Sequence, residues 1–254
     1  MGWLIVKHSF SLVFRNFGYA LRVSVGPVLI ATALVYLMIL ITGFTPAWAT
    51  TSLMLGRVPT SLVMVGLIAV LAYLIVATWI AVAWHRFILL EDYPGFLPAL
   101  SVPTIMTYIG KSVVIGLLLF LALIPTSLVA GLGLAMLGLT QNALASLVLG
   151  FFLGLILTFV WLRLAIVLPG VAVAKPMGIR DAWTVTKPVS DDIISAAAIL
   201  VAINTGVSVL VDFFLPVGWL YVGVMFVLSW ITMMVGISLL TTLYGHLIEK
   251  RPLV

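Results

Sequence analysis

In this chain of 254 residues, 64% are hydrophobic and only 7% carry charge, with a mean hydropathy of +1.36, whereas soluble domains are roughly half apolar and a quarter charged. Water-soluble classes are excluded, and the absence of cysteine removes disulfide frameworks, thiolate metal sites, iron–sulfur ligation and thiol nucleophiles. The net charge of +5 therefore says more about membrane orientation than about nucleic acid, because in a membrane chain the placement of cations counts more than their sum.

Residues 1–22 lack the apolar core and small-residue cleavage site of a secretory signal and are read as retained. Trp3, Val6, Phe10, Val13, Phe14, Phe17 and Leu21 recur at intervals of three and four, with Lys7, Ser11, Arg15 and Arg22 on the other side. That pattern predicts an amphipathic helix lying in the membrane interface.

Apolar runs long enough to cross a bilayer follow at about 25–44, 61–84, 111–137, 143–168, 193–215 and 219–244, each near or above the ~18 residues such a span requires. The expectation is all-α: one polytopic domain of six transmembrane helices, arranged as three hairpins. Pro27 is tolerable in the first turn of the first span. The connection at 45–60 carries Pro46, Trp48, Arg57 and Pro59, and Glu91-Asp92-Tyr93-Pro94-Gly95 opens a proline-broken stretch reaching Thr107. The fourth run, Ala143 to Ala174, has 32 residues, about 48 Å as straight helix against a hydrocarbon core of about 30 Å. It must break or tilt, and Pro169-Gly170 is the expected place.

The cations are sorted by side. Lys7, Arg15, Arg22, Arg86, Lys111, Arg163, Lys175, Arg180, Lys187, Lys250 and Arg251 share one face of a six-span arrangement, and Arg57 alone falls on the other. This places both termini in the cytoplasm. Aromatic belts agree, with Phe44, Trp48, Trp219 and Tyr221 outside and Trp84, Tyr93, Trp161, Trp183 and Tyr244 inside.

The even-numbered spans end Trp84-His85-Arg86, Trp161-Leu162-Arg163 and Tyr244-Gly245-His246, separated by 77 and 83 positions. Each hairpin is preceded by a lead-in, at 1–22, 96–111 and 180–192. Three parallel repeats follow from this, unlike the inverted halves of many secondary transporters.

The run Trp161-Leu162-Arg163 to Leu168-Pro169, followed by Ala182-Trp183 and Thr186-Lys187, resembles a motif of the YciC-like bacterial membrane proteins. The same motif occurs in the membrane domain joined to some glycerophosphoryl diester phosphodiesterases. The resemblance implies a six-helix fold with an amphipathic amino terminus. No phosphodiesterase catalytic domain is present here, so that activity is not implied.

Arg86 and Arg163 are the sharpest candidates for binding, since a guanidinium near the bilayer must reach water, phosphate or a carboxylate. One reading is a cytoplasmic site for an anionic lipid head group, with Lys111, Lys175 or Lys187 nearby; the other is snorkelling that fixes helix depth. His8, His85 and His246, with Glu91, Asp92 and Glu249, match no ligand spacing, so no metal is expected. Asp212 is read as a solvated loop carboxylate or a partner of Arg57. Ala198, Ala202 and Gly206 form a small-residue ridge beside Asn204, and Gly150 and Gly154 form another, both read as helix packing. No phosphate loop, zinc-protease helix, nucleophile elbow or carboxylate pair occurs. The expected protein is therefore no enzyme and needs no cofactor. It is a scaffold or accessory subunit that packs against membrane lipids and a membrane-protein partner or a second copy. The rival reading is a transporter or lipid-handling protein that grips an anionic head group.

Overall fold

The computed structural model describes residues 1–43, 54, 56 and 58–253; Phe44, Trp48 and Arg57, which carry part of the outer belt and the lone outer cation, lie outside them. The described chain is helical without strands: α1 (Gly2–Arg15), α2 (Phe17–Thr42), α3 (Thr60–Leu90), α4 (Val102–Met136), α5 (Ala143–Ala165), α6 (Val167–Ala172), α7 (Ile179–Thr186), a 3₁₀ turn (Lys187–Val189), α8 (Ser190–Phe214) and α9 (Trp219–Leu247). Six stretches are long and apolar enough to cross a membrane, the fourth being α5 with α6 and the fifth beginning with α7. This is an all-α, multi-pass architecture.

Several boundaries differ from the sequence expectation for local reasons. The amino-terminal helix stops at Arg15, because Asn16 leaves helical geometry and its side chain turns back to donate to the Leu12 carbonyl at 2.9 Å. Residues 17–22 therefore join the first span. The third span starts at Val102, not near Lys111, because Pro103 sits in its first turn where no amide bond is lost. The second lead-in is consequently not a separate helix. The fourth run breaks at Ile166, three residues before Pro169: proline withholds the amide that Ala165 would accept and crowds that carbonyl. Helix resumes at Val167, so Pro169 then lies in a first turn.

Close contacts gather the chain into two compact units, Phe17–Ile109 and Met1–Asn16 with Gly110–Val254. In the first, α2 packs along α3. Tyr19, Phe87 and Tyr93 form an aromatic cluster with centroids 4.7–5.6 Å apart. Trp79 Nε1 donates to the Pro98 carbonyl at 3.2 Å, holding the 91–101 connection against the span. Gly26 completes that seat, since a β-carbon there would lie 2.7 Å from Leu97.

In the second unit α5 packs along α8, and α1 lies against both α8 and α9. Of the three hairpins expected, the first is closely packed and the other two are splayed: a groove separates α4 from α5, whose close partner is α8, and α8 and α9 each pack more closely on α1 than on one another. Gly2, Ile5, Val6, Ser9 and Val13 form the buried face of α1, while Trp3 and Phe14 stay exposed and Phe10 stacks near Phe14. The helix is thus three-sided, with one face on protein, an aromatic flank, and Lys7 and Arg15 outward. Its apolar residues are shared between protein and bilayer, where the sequence pattern assigned them all to the bilayer.

Burial has a shared polarity in the spans. It concentrates near the start of α2, α4 and α8 and near the end of α3, α5 and α9, in each case beside the cations. The opposite ends expose Leu40, Ile41, Leu137, Leu144, Phe213 and Trp219. The buried polar residues Ser9, Ser24, Thr78, His85, Arg163, Thr186, Ser238, Thr241 and Thr242 all fall at the packed ends. Lipid tails match leucine in polarity, so apolar faces gain little by pairing; small residues and hydrogen bonds decide where helices meet.

A very tight approach is at Gly2, where a β-carbon would lie 2.6 Å from the Asp192 carbonyl oxygen and from Ser195 Cβ. Gly2→Val is expected to lift α1 off α8, costing about 1–3 kcal/mol as overpacking does. The measurements are a lowered unfolding temperature in detergent and faster tryptic cleavage after Lys7 and Arg15; unchanged values would contradict the docking.

Candidate functional site

Arg163 ends α5 one turn before the break, and its side chain is only 5% exposed. A guanidinium carries five N–H donors and no acceptor, so burial demands oxygen acceptors or an aromatic face. Both come from α7. Arg163 Nε donates to Thr186 Oγ1 at 3.0 Å, and Nη2 donates to the Trp183 carbonyl at 2.7 Å. The indole of Trp183 covers the guanidinium carbon at 3.6 Å from the ring centroid, with Phe159 at 5.6 Å. Thr186 in turn donates to the Ala182 carbonyl at 2.8 Å. The cation therefore sits at the carboxyl end of a helix, sharing the Trp183 carbonyl with the Thr186 hydroxyl, where the dipole favours positive charge.

The residues around the break are as constrained as the arginine. Ile166 to Val173 are all buried. Gly170 accepts from the Lys175 amide at 2.8 Å, and a β-carbon on it would meet the Lys175 carbonyl oxygen at 2.6 Å and the Tyr244 ring at 3.3 Å. Leu168-Pro169-Gly170 lies in the short helix α6 against α9, and the chain turns just after it, where Ala174 takes a φ of 57°.

The other predicted residues are placed as follows. Arg86, in the first unit, donates through Nε to Asp92 Oδ2 at 2.9 Å in a half-exposed pair. Lys175 lies 3.7 Å from Glu249, which also receives Arg251 at 2.8 Å. Lys187 is exposed and Lys111 half-buried. Arg86, Lys175 and Arg251 thus hold neighbouring chain segments, and the predicted cations do not converge on one cavity within either unit among the described residues. The third repeat behaves alike: His246 Nδ1 lies 2.9 Å from the Arg251 carbonyl oxygen. At all three span ends, the side chain two positions beyond the aromatic fastens the segment that follows.

The small-residue ridges are redistributed. Ala202, Asn204 and Gly206 are exposed and Ala198 half-buried; the buried stripe of α8 is Ile193, Ala196, Ala197 and Val201. Gly150 and Gly206 have nothing within 4 Å of a would-be β-carbon, whereas Gly154 faces Val201 at 3.4 Å. Asn204 does bridge spans, accepting from Thr232 at 3.0 Å. Asp212 accepts from Tyr221 at 2.9 Å. His85 Nε2 lies 3.2 Å from the Tyr108 hydroxyl, and no group of three metal-ligating side chains occurs among the described residues.

Sequence reasoning missed Gly2, Tyr108 and the Ser9–Thr242 hydrogen bond of 3.1 Å, whose partners lie far apart in the chain. Thr186 was visible only as part of a motif. No family model, curated protein or solved structure matches this chain.

Three substitutions separate the buried tie of Arg163 from the solvated pair of Arg86. Arg163→Met should cost about 2–4 kcal/mol, since charge-assisted bonds and a stacked cation are lost and buried acceptors remain; Arg163→Lys should recover part of it, lacking the planar fork. Arg86→Ala, which breaks a solvated pair, should cost at most about 1 kcal/mol. Thermal unfolding in detergent measures all three, and equal losses for Arg163→Met and Arg86→Ala would refute the distinction.

Proposed function

We propose that this protein is a non-enzymatic scaffold or accessory subunit of a bacterial inner membrane, with both termini in the cytoplasm, packing against other membrane proteins and lipids through its apolar flanks. The observation that carries this reading is the contrast along each span. Several polar groups at the cation-bearing ends, Arg86, Arg163, Ser9 and His246 among them, find partners inside the chain, while the opposite halves mainly offer Leu, Phe, Val and Trp among the described residues. For α4, only 6% of its most apolar window is buried, leaving Leu117, Leu121, Leu128 and Leu132 open to lipid or to another helix.

The orientation rests on the eleven cations grouped at one set of span ends, which the positive-inside rule assigns to the cytoplasm. The resemblance to the YciC-like proteins is part of this proposal and rests on Arg163, Leu168-Pro169, Ala182-Trp183 and Thr186-Lys187. A head-group site built on Arg163 is the weaker alternative, because its Nε and one Nη2 donor are already committed to α7.

Mild extraction of the tagged protein from its native membrane, followed by mass spectrometry, tests the reading. A membrane protein recovered in fixed stoichiometry, or a defined homo-oligomer, is the expected result. A monomer recovered alone would overturn it.

A further inference from the structure

Helix α1 is pinned at two points to spans of its own unit. Gly2 lies against Ser195 of α8, and Ser9 donates to Thr242 of α9 at 3.1 Å. Ser195 comes one turn inside Asp192, near the start of α8, and Thr242 one turn inside His246, near the end of α9. At 1.5 Å per helical residue both anchors are about 5 Å below the polar ends of their spans, so α1 runs along that level. An amphipathic helix in a bilayer rests ~5–10 Å deep, at the boundary between head groups and acyl chains. What meets the outward side of α1 is therefore lipid.

That side has one chemistry along its length. Trp3, Lys7, Ser11 and Arg15 follow one another at intervals of four, a single row on the helix surface. Phe14 lies beside the row, with the Phe10 ring 6.2 Å from its own. Trp3, Lys7, Phe14 and Arg15 are all exposed, and no acidic residue occurs in the chain before Glu91. Among the described residues no carboxylate pairs with Lys7 or Arg15, whereas Arg86, Lys175 and Arg251 each have one. The two cations thus stand on the exposed surface itself, at head-group depth, with their charge unspent.

We propose that this outward row of α1 is a binding face for anionic phospholipid head groups in the leaflet at the cation-bearing ends. Lys7 and Arg15 pair with the phosphates, while Trp3 and Phe14 set their rings among the upper acyl chains. A zwitterionic head group already balances its phosphate with an ammonium, so an unpaired lysine or arginine favours the anionic one. This face is separate from the apolar flanks of the scaffold reading. A monomer recovered alone would overturn that reading and leave this one standing.

The chain has no cysteine, so Ser11→Cys, between the two cations, takes a single bimane on the full chain in nanodiscs. A small, fixed fraction of phosphatidylcholine spin-labelled at its head group quenches the bimane on contact. Replacing half of the palmitoyl-oleoyl phosphatidylcholine by the phosphatidylglycerol of the same chains is expected to lower that quenching about threefold. A drop of that size follows when the row prefers the anionic lipid about fivefold, as one cation does at an anionic surface, and so displaces the spin-labelled lipid. Lys7→Gln together with Arg15→Gln should bring the two bilayers to equal quenching. Salt at about 1 M, where the Debye length is ~3 Å, should do the same with both cations in place, and it decides the matter if the double variant fails to fold. Equal quenching in the two bilayers before any such change would overturn the proposal. So would a difference that survives either the double variant or the salt, or an absence of quenching in both bilayers, which would mean that protein covers the row.

Discussion

A guanidinium at the edge of a bilayer has to be satisfied, and in this protein the chain itself supplies the acceptors. Arg163 joins the end of α5 to the last turn of α7 through two hydrogen bonds and the face of Trp183. Between these anchor points lie the proline break, the buried α6 and the turn at Ala174. Because the ends of that reversal are tied by a charged group that leaves only at great cost, the start of α8 is fixed relative to the end of α5. These helices form the close pair of their unit.

The same constraint explains why packing is confined to one end of each span. In hydrocarbon, apolar side chains have no preference for one another over lipid. Contact is specified where polar atoms or glycines require it: Ser9 with Thr242, Gly2 under Ser195, Gly26 under Leu97, His85 with Tyr108. Such contacts are sparser in the exposed halves, where Asn204–Thr232 and Asp212–Tyr221 are examples among the described residues. Their openness is a direct reading of composition.

Much of the fold was legible because the bilayer restricts the choices: long apolar runs, cation placement and the overlong fourth run each have one inexpensive solution. The position of the break was off by three residues because proline acts on the carbonyl four residues back as well as on its own amide. The three-hairpin scheme was only partly realised, since neighbours in sequence need not be neighbours in contact when nothing polar joins them. Arg163 was legible as unusual, but its partner was not, as it depends on a reversal that brings residues 20 and 23 positions away onto it. The ridge at Ala198, Ala202 and Gly206 failed for a related reason. Spacing identifies a stripe of small residues without saying which stripe another helix will use.

The docking of α1 bears on how the chain is made. Its seat on α8, at Asp192 and Ser195, is synthesised about 190 residues after Gly2 itself. At roughly 5–20 residues per second, α1 waits on the order of ten to forty seconds for its partner. Its aromatic flank and outward cations leave it amphipathic on its own until that seat is made. A helix with a single greasy face would have had to choose between bilayer and protein, whereas this one can hold the first while it waits for the second.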